Sequence, residues 1–470
     1  MTTDRRAEPS SSARSRAYRR RRLFLAAALL SASLLLLSGC RAVLSWLAED
    51  AAEPAAAAEL LPDDAPIPAE ECDPEDRTFG SSGEPVPADL RDNIDRLLMD
   101  PTVGLRQVSV SVWVDGWGEV ASLDPDVALK PASNQKVLTA IGALELLDPD
   151  ATLTTTLGAT TRVEGGRIGG DLVLIGGGDP MLWDVGEHSL YAMATRLRDM
   201  GVTEVSGALL VDDGRYDARR MAAGWTDQQI PGDAAPISAL TVAANRVGDT
   251  PDYLRDPATG NGQVLFRYLA EMGITVRGGV SNETAEIETE LVTLHSPVIA
   301  RLVDGMMRNS DNTTAELLLK EIGLQASGEG STAAGLAASR DVVESWCVSL
   351  TGLDDDGSGL SYANARSARE WRLMLQGAQE QPWWPAFHDS LPVAGDPDGT
   401  LPNRLSGPAT VDNLRAKTGT INVARGLSGT FTTAGGRAAT FSVIINDPHD
   451  PEAAIPPTDE LLETIAAHPG

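Results

Sequence analysis

The sequence predicts an α+β fold interrupted by one inserted α/β segment. Three observations predict it. Near residue 100 a helical spacing of apolar residues gives way to a two-residue alternation that turns back on itself. In the middle of the chain, short apolar runs alternate with amphipathic helical stretches. The C-terminal part is helical again and then carries strand-like runs closed by a helix.

In order, residues 88–99 (ADLRDNIDRLLM) place Leu90, Ile94, Leu97 and Leu98 at helical intervals. QVSVSVWVDGWGEVASLDP then alternates Val108, Val110, Val112 and Val114 with smaller residues and turns at DGWG, a hairpin. PASNQKVLTAIGALELL reads as a helix with Ser133 near its start and Val137, Leu138, Ile141 and Leu144 on its buried face. Between about 155 and 290, GDLVLIGGGD and VSGALLVDDGRYD read as strands, and EHSLYAMATRLRDM and GQVLFRYLAEMGI as helices. From 296 the stretch SPVIARLVDGMMRNSDNTTAELLLKEIG is expected to be helical, with another helix near 333–350. NLRAKTGTI, RGLSGTFTTA and RAATFSVIIND are expected strands, the last two joined at Gly435-Gly436, before a helix at about 458–467.

The 470 residues are enough for two to three domains. Hydrophobic content is 42% but aromatics only 4%, so the core is expected to be aliphatic. A net charge of −29 argues against nucleic-acid binding, which depends on neutralising phosphates. The five histidines are scattered and the cysteines, Cys40, Cys72 and Cys347, form no CxxC, so no zinc site and no other cofactor is implied. No GxSxG elbow is present.

Eight arginines among the first 22 residues precede the uncharged run LFLAAALLSASLLLLSGC, residues 23–40. This is the pattern of an export signal, with the basic end left in the cytoplasm. LSGC resembles a bacterial lipobox with Cys40 as the lipidated residue; an uncleaved membrane anchor is the other reading. Either one tethers the remainder to the membrane outside the cytoplasm, in the cell envelope. Residues 41–87, rich in Ala, Pro and acid, read as a flexible linker. Were Cys40 lipidated, Cys72 and Cys347 would remain as a candidate disulfide.

Lysine occurs at only four positions, Lys130, Lys136, Lys320 and Lys417. Two of them fall in short motifs: Ser133-Asn134-Gln135-Lys136 is SxxK, and Lys417-Thr418-Gly419 is KTG, followed by Thr420. Between these lies Ser310-Asp311-Asn312. Alone, a serine three before a lysine reads as a capped helix start. The three motifs in this order mark serine acyl-transferases of the penicillin-binding and serine β-lactamase group. The chemistry explains the residue types. A serine hydroxyl needs a base. One helical turn brings Lys136 to the side of Ser133. A lysine becomes a base when burial and a nearby cation, here Lys417, lower its pKa. Ser310 can relay a proton to the leaving amine, Asn312 can hold the substrate amide, and Lys417, Thr418 and Thr420 can bind a carboxylate. The N–H groups of Ser133 and Thr420 are candidate oxyanion donors.

Beyond these motifs, GDLVLIGGGDPML, VDDGRYD, APISALTV, DGSGLS, LPVAGDPDGTL and LRAKTGTINVARGLSG resemble the D-alanyl-D-alanine carboxypeptidase/endopeptidase family of low-molecular-mass penicillin-binding proteins. This is the penicillin-binding protein 4 (DacB) group, peptidase family S13, and the resemblance covers about residues 100–446. It implies a serine β-lactamase/DD-transpeptidase-like domain from residues 88–154 and 291–470, an antiparallel sheet with flanking helices, with 155–290 inserted. It also implies an acyl-enzyme on Ser133, with Lys136 as base, Ser310 assisting, and Asn312, Lys417, Thr418 and Gly419 binding substrate. The implied partners are peptidoglycan stem peptides, at their D-Ala-D-Ala ends, and β-lactams. The spacing of 177 positions from Ser133 to Ser310 leaves room for one inserted domain where fuller relatives carry more. Relatives show an Arg-Asn soon after DGSGLS; here Asn364 is displaced and receives no role. GGGDPML is expected to be a tight turn, Asp179 and Asp213 structural, and Asp354 to Asp356 a solvated loop without EF-hand spacing. A β-lactamase or esterase on the same scaffold, and a non-catalytic cell-wall-binding protein, are the alternative readings.

Overall fold

The computed structural model describes residues 83–470 except 231 and 248–251. The signal segment, Cys40 and Cys72 lie outside the described residues. Among the described residues no helix is long and apolar enough to cross a membrane.

The chain begins with helices α1 (Ala88–Leu98) and α2 (Pro101–Gly104), then strands β1 (Gln107–Val114) and β2 (Gly118–Leu123). The hairpin turn uses Gly116 and Gly118 at φ 89° and 83°, a region open to glycine without a Cβ penalty. The four valines of β1 face a core shared with α1 and the C-terminal helix. The opposite face is buried too: Ser109 accepts from Ala368 N at 3.1 Å and Ser111 from Arg372 Nε at 2.7 Å. That two-sided cover explains why the valines alternate with small hydroxyl residues and not with charges.

Helix α3 (Gln135–Leu146) follows a short 3-10 turn, Ala132–Asn134. It is buried on every side from Gln135 to Leu144. Its apolar residues form the second core with helices that follow the insertion. A helix apolar all round belongs in a protein interior.

The middle segment holds β3 (Thr152–Ala159), β4 (Val163–Glu164), β5 (Arg167–Ile168), β6 (Leu172–Ile175), α4 (Leu190–Asp199), β7 (Glu204–Val205), β8 (Leu209–Asp212), α5 (Pro257–Glu271), β9 (Thr275–Val276), β10 (Val280–Asn282) and β11 (Thr289–Val298). Its larger sheet has the order β10-β8-β6-β3-β11, with β6, β8 and β10 parallel and joined through the two helices. β3 and β11 pair antiparallel from Thr152 opposite Val298 to Ala159 opposite Thr289. The segment therefore leaves and re-enters on neighbouring strands, and the expected limits at 155 and 290 fall inside β3 and β11.

Past β11 come α6 (Ile299–Asn309), α7 (Asn312–Ser327), α8 (Thr332–Ser345), α9 (Ala368–Gln379) and α10 (Trp384–Ser390), then β12 (Arg415–Ile421), β13 (Ala424–Thr432), β14 (Ala438–Asn446) and α11 (Ile455–Ala466). The helix expected across 296–323 is broken. Ser310 adopts the left-handed conformation, φ 56°, and Asp311 caps α7 through Thr314 N at 2.6 Å. The main sheet, β12-β13-β14-β1-β2, is antiparallel throughout and sets the first strand of the described residues, β1, beside the last, β14.

Candidate active site

Ser133 lies in the 3-10 turn that leads into α3, not in the helix itself. The preceding residue, Ala132, has a positive φ of 50°, a conformation unfavourable to residues bearing a Cβ. Two glycines let other segments approach this turn. A Cβ on Gly359 would lie 1.9 Å from the Ala132 carbonyl oxygen, and one on Gly419 would lie 3.0 Å from Ser133 N. The KTG strand and the DGSG loop thus clamp the turn from two directions.

Lys136 is fully buried. Its Nζ donates to Ser133 Oγ at 3.1 Å, to Asn312 Oδ1 at 2.6 Å and to the Ser358 carbonyl at 2.6 Å. Burial lowers its pKa from 10.5 to about 8, against the opposing pull of Asp356, Asp311, Glu316 and Asp233. Lys417 was expected to supply the lowering charge. Burial does that at Lys136, and the ammonium–ammonium repulsion appears at Lys417 instead. Lys417 is also fully buried and is held well below the usual lysine range by burial first and by Lys136 second.

Lys417 Nζ donates to Ser310 Oγ at 3.0 Å and to the Thr418 carbonyl at 2.9 Å. The three motifs, far apart in sequence, therefore meet: Lys136 ties Ser133 to Asn312, and Lys417 ties β12 to Ser310. Asn312 Nδ2 donates to the Asp233 carbonyl at 2.9 Å, so both ends of its amide are already engaged. Thr418 Oγ1 donates to Thr400 Oγ1 at 2.7 Å, and Thr420 is exposed at the strand edge.

Asp354 to Asp356 are not the solvated loop expected from their charge. Asp356 is completely buried and Asp354 nearly so. Asp356 accepts from Gly359 N at 2.9 Å, Ser361 N at 2.8 Å and Trp225 Nε1 at 2.8 Å. Asn364 braces the same loop, donating to Asp356 Oδ1 at 2.6 Å and accepting from Asp355 N at 2.7 Å. Asp354 is consumed by Arg340 and Arg366. The carboxylates are there to satisfy backbone N–H groups and arginines in a buried turn, where an unpaired donor would be costly. Among the described residues no group of acidic, histidine or cysteine side chains could hold a metal.

Sequence reasoning missed Glu316 altogether. It lies one turn into α7, fully buried beside Lys136, and accepts from Gly357 N at 3.1 Å and Ser358 N at 2.8 Å. Burial, then the charge of Asp356, raises its pKa to about 8. Its position in NTTAELLLKE, a glutamate inside an apolar helical run, was the available signal. Lys320, by contrast, is buried but remote in role: it pairs with Asp217 and docks α7 onto the middle segment, as Arg215–Glu321 does. Asp179 pairs with His188 at 2.6 Å and Asp213 accepts from Ser238 at 2.9 Å. Cys347 is disulfide-bonded; the expected partner, Cys72, is outside the described residues.

This arrangement places a hydroxyl beside an amine of reduced pKa, with a second serine–lysine pair facing it. The fold that carries it is that of the penicillin-binding proteins. The structure of penicillin-binding protein 4 from Haemophilus influenzae matches with a TM-score of 0.71 at 19% identity, covering 80% of this chain and 99% of that one. Its complex with a β-lactam matches with a TM-score of 0.67 at 18% identity, over the same shares. Sequence carries the assignment further: residues 90–253 and 251–465 match the D-Ala-D-Ala carboxypeptidase 3 (S13) family, to which this chain belongs. A D-alanyl-D-alanine carboxypeptidase from Actinomadura sp. (strain R39) is 30% identical across 53% of this chain. The match spans 60% of that relative's length.

Proposed function

We propose that this protein is a serine D-alanyl-D-alanine carboxypeptidase, with endopeptidase activity on cross-links, acting on peptidoglycan stem peptides and acylated by β-lactams. The carrying observation is the 3.1 Å contact between Ser133 Oγ and the buried, pKa-lowered Lys136. Family membership and the curated relative support the substrate class.

In the proposed mechanism neutral Lys136 removes the Ser133 proton as Oγ attacks the carbonyl of the penultimate D-Ala. The N–H groups of Ser133 and Thr420 face the oxyanion. Lys417, Thr418 and Thr420 bind the terminal carboxylate, and Lys417 orients Ser310, which gives its proton to the leaving amine and receives in exchange the one Lys136 took from Ser133, leaving Lys136 neutral. Asn312 positions Lys136 through its carbonyl oxygen. Water then hydrolyses the ester on Ser133, with Lys136 again taking a proton. The same ester forms when a β-lactam ring opens on Ser133.

The N-terminal arginines, the apolar run and Cys40 support a chain held at the membrane on its outer side, by lipid or anchor. Residues 41–87 would then space the folded part from the bilayer.

The test combines fluorescent penicillin with a diacetyl-Lys-D-Ala-D-Ala peptide. Covalent label and released D-Ala from wild type, both lost in Ser133→Ala, are the expected result. Absence of label in wild type refutes the reading, and rapid multiple turnover of penicillin would favour a β-lactamase.

A further inference from the structure

Beside the corner formed by Ser310 lies a cavity of about 1120 Å³. One wall is α6 and the start of α7, and the other comes from the middle segment. Asn309 and Asp311, the residues on either side of Ser310, both line it. So does Asp233, whose carbonyl holds Asn312. The cavity therefore borders the segment that carries Ser310, the serine assigned to protonate the leaving amine, without being lined by the reacting side chains themselves.

Three further features fit it to a ligand. Gly305 lines the cavity from the middle of α6, and a Cβ placed there meets no atom within 4 Å. Close packing does not require this glycine, which is disfavoured in a helix interior; what its missing side chain preserves is cavity space. Trp183 lines the same space and is 56% exposed. Arg301 also lines it and is 76% exposed. It is ion-paired with Asp304 at 3.8 Å, a carboxylate it shares with Arg308 at 2.7 Å. Three arginines and four aspartates share the lining, so an indole and charges of both signs beside Leu302 and Val264 suit a peptide that carries amines as well as carboxylates.

The geometry points to this cavity as the binding site for the second peptide of a cross-linked substrate, the zwitterionic peptide that departs with the leaving amine. This rests on the DD-peptidase reading above. It assigns α6 and the middle segment the task of recognising the strand released, while the three motifs handle the bond cleaved.

Gly305→Leu fills the space and Arg301→Glu reverses its charge, and neither residue is part of the reacting group. Turnover of a cross-linked muropeptide dimer is compared with that of the monomeric pentapeptide and with acylation by fluorescent penicillin. The expected result is a fall in kcat/KM on the dimer of about tenfold or more, as for loss of a charge-assisted contact, with the other two unchanged. Dimer binding is also measured calorimetrically on Ser133→Ala, with and without Gly305→Leu, so the site is judged even if the wild type proves catalytically inert. An equal loss on the monomer, or undiminished dimer binding, overturns the assignment. Failure of wild-type penicillin labelling indicts the peptidase reading alone.

Discussion

Lys136 and Ser358 are 222 residues apart, yet the lysine Nζ donates to the Ser358 carbonyl at 2.6 Å inside a buried turn. The contact ties the candidate base to a loop whose own shape is fixed by Glu316, Asp356 and Asn364. The behaviour of Lys136 is therefore a property of three segments, not of the SxxK motif alone.

Penicillin acylation should rise with pH and level off above about 8. Lys136 titrates near 8 because burial disfavours its charge. Below that pH the amine is protonated and cannot accept the Ser133 proton, so the rate should fall about tenfold per unit. Stopped-flow acylation between pH 5.5 and 9.5 measures this. Lys136→Ala should lower the rate by about 10²–10⁴-fold and abolish that pH step. A step that persists in the variant would assign it to another group.

Glu316 should make the protein less stable as pH rises from 4.5 to 8. A free glutamate releases its proton near 4.5, whereas buried Glu316 keeps it until about 8. In that window the native state binds more protons than the unfolded one, so stability declines with rising pH. Glu316→Gln keeps an oxygen for Gly357 N and Ser358 N but cannot ionise. Its Tm should decline less across this window than that of wild type. Parallel Tm curves for the two proteins would show that Glu316 does not titrate there.

Trp225→Phe should weaken the site from a distance. The ring is retained, but the 2.8 Å hydrogen bond to buried Asp356 is lost. A bond to a charged acceptor contributes about 1.5–3 kcal/mol, which should appear as a lower Tm together with slower acylation. Unchanged acylation at a reduced Tm would mean the loop does not transmit the loss to Lys136.

Gly359→Ala should damage both stability and acylation. Gly359 has φ 85°, and its Cβ would meet the Ala132 carbonyl at 1.9 Å. The strain alone costs about 1–3 kcal/mol, and relief of the clash must displace the turn that bears Ser133. Gly328 is the control: φ is 78°, with nothing within 4 Å of a Cβ. Gly328→Ala should lower Tm yet leave the acylation rate intact. Equal effects of the two changes on acylation would contradict this account.

Much of the molecule was legible along the chain. The valine alternation of β1 marked a strand because side chains there point alternately to the two faces. The scarcity of lysine isolated Lys136 and Lys417, since so few competed for attention. What the linear pattern could not supply was burial. Asp354 to Asp356 read as a solvated acidic loop because charge normally seeks water, and only the surrounding N–H donors and arginines make their burial tolerable. The helical pattern ran unbroken through 296–323 because Ser310 carries no local signal for the left-handed conformation that splits it. Glu316 stands out inside its apolar run, but its purpose is set by the N–H groups of Gly357 and Ser358, which reach it only when the loop folds onto α7.

By itself, then, the sequence determined the order of the three motifs, the residue types able to carry acyl transfer, and the alternation of sheet and helix. Only the tertiary structure decided that burial lowers the Lys136 pKa to about 8, that Lys417 meets Ser310, and that a loop from the far side of the chain holds the candidate base in place. The physical reason is that composition and spacing are local quantities. The energy of a charge depends on everything that excludes water from it, and that enclosure exists only when distant segments pack together.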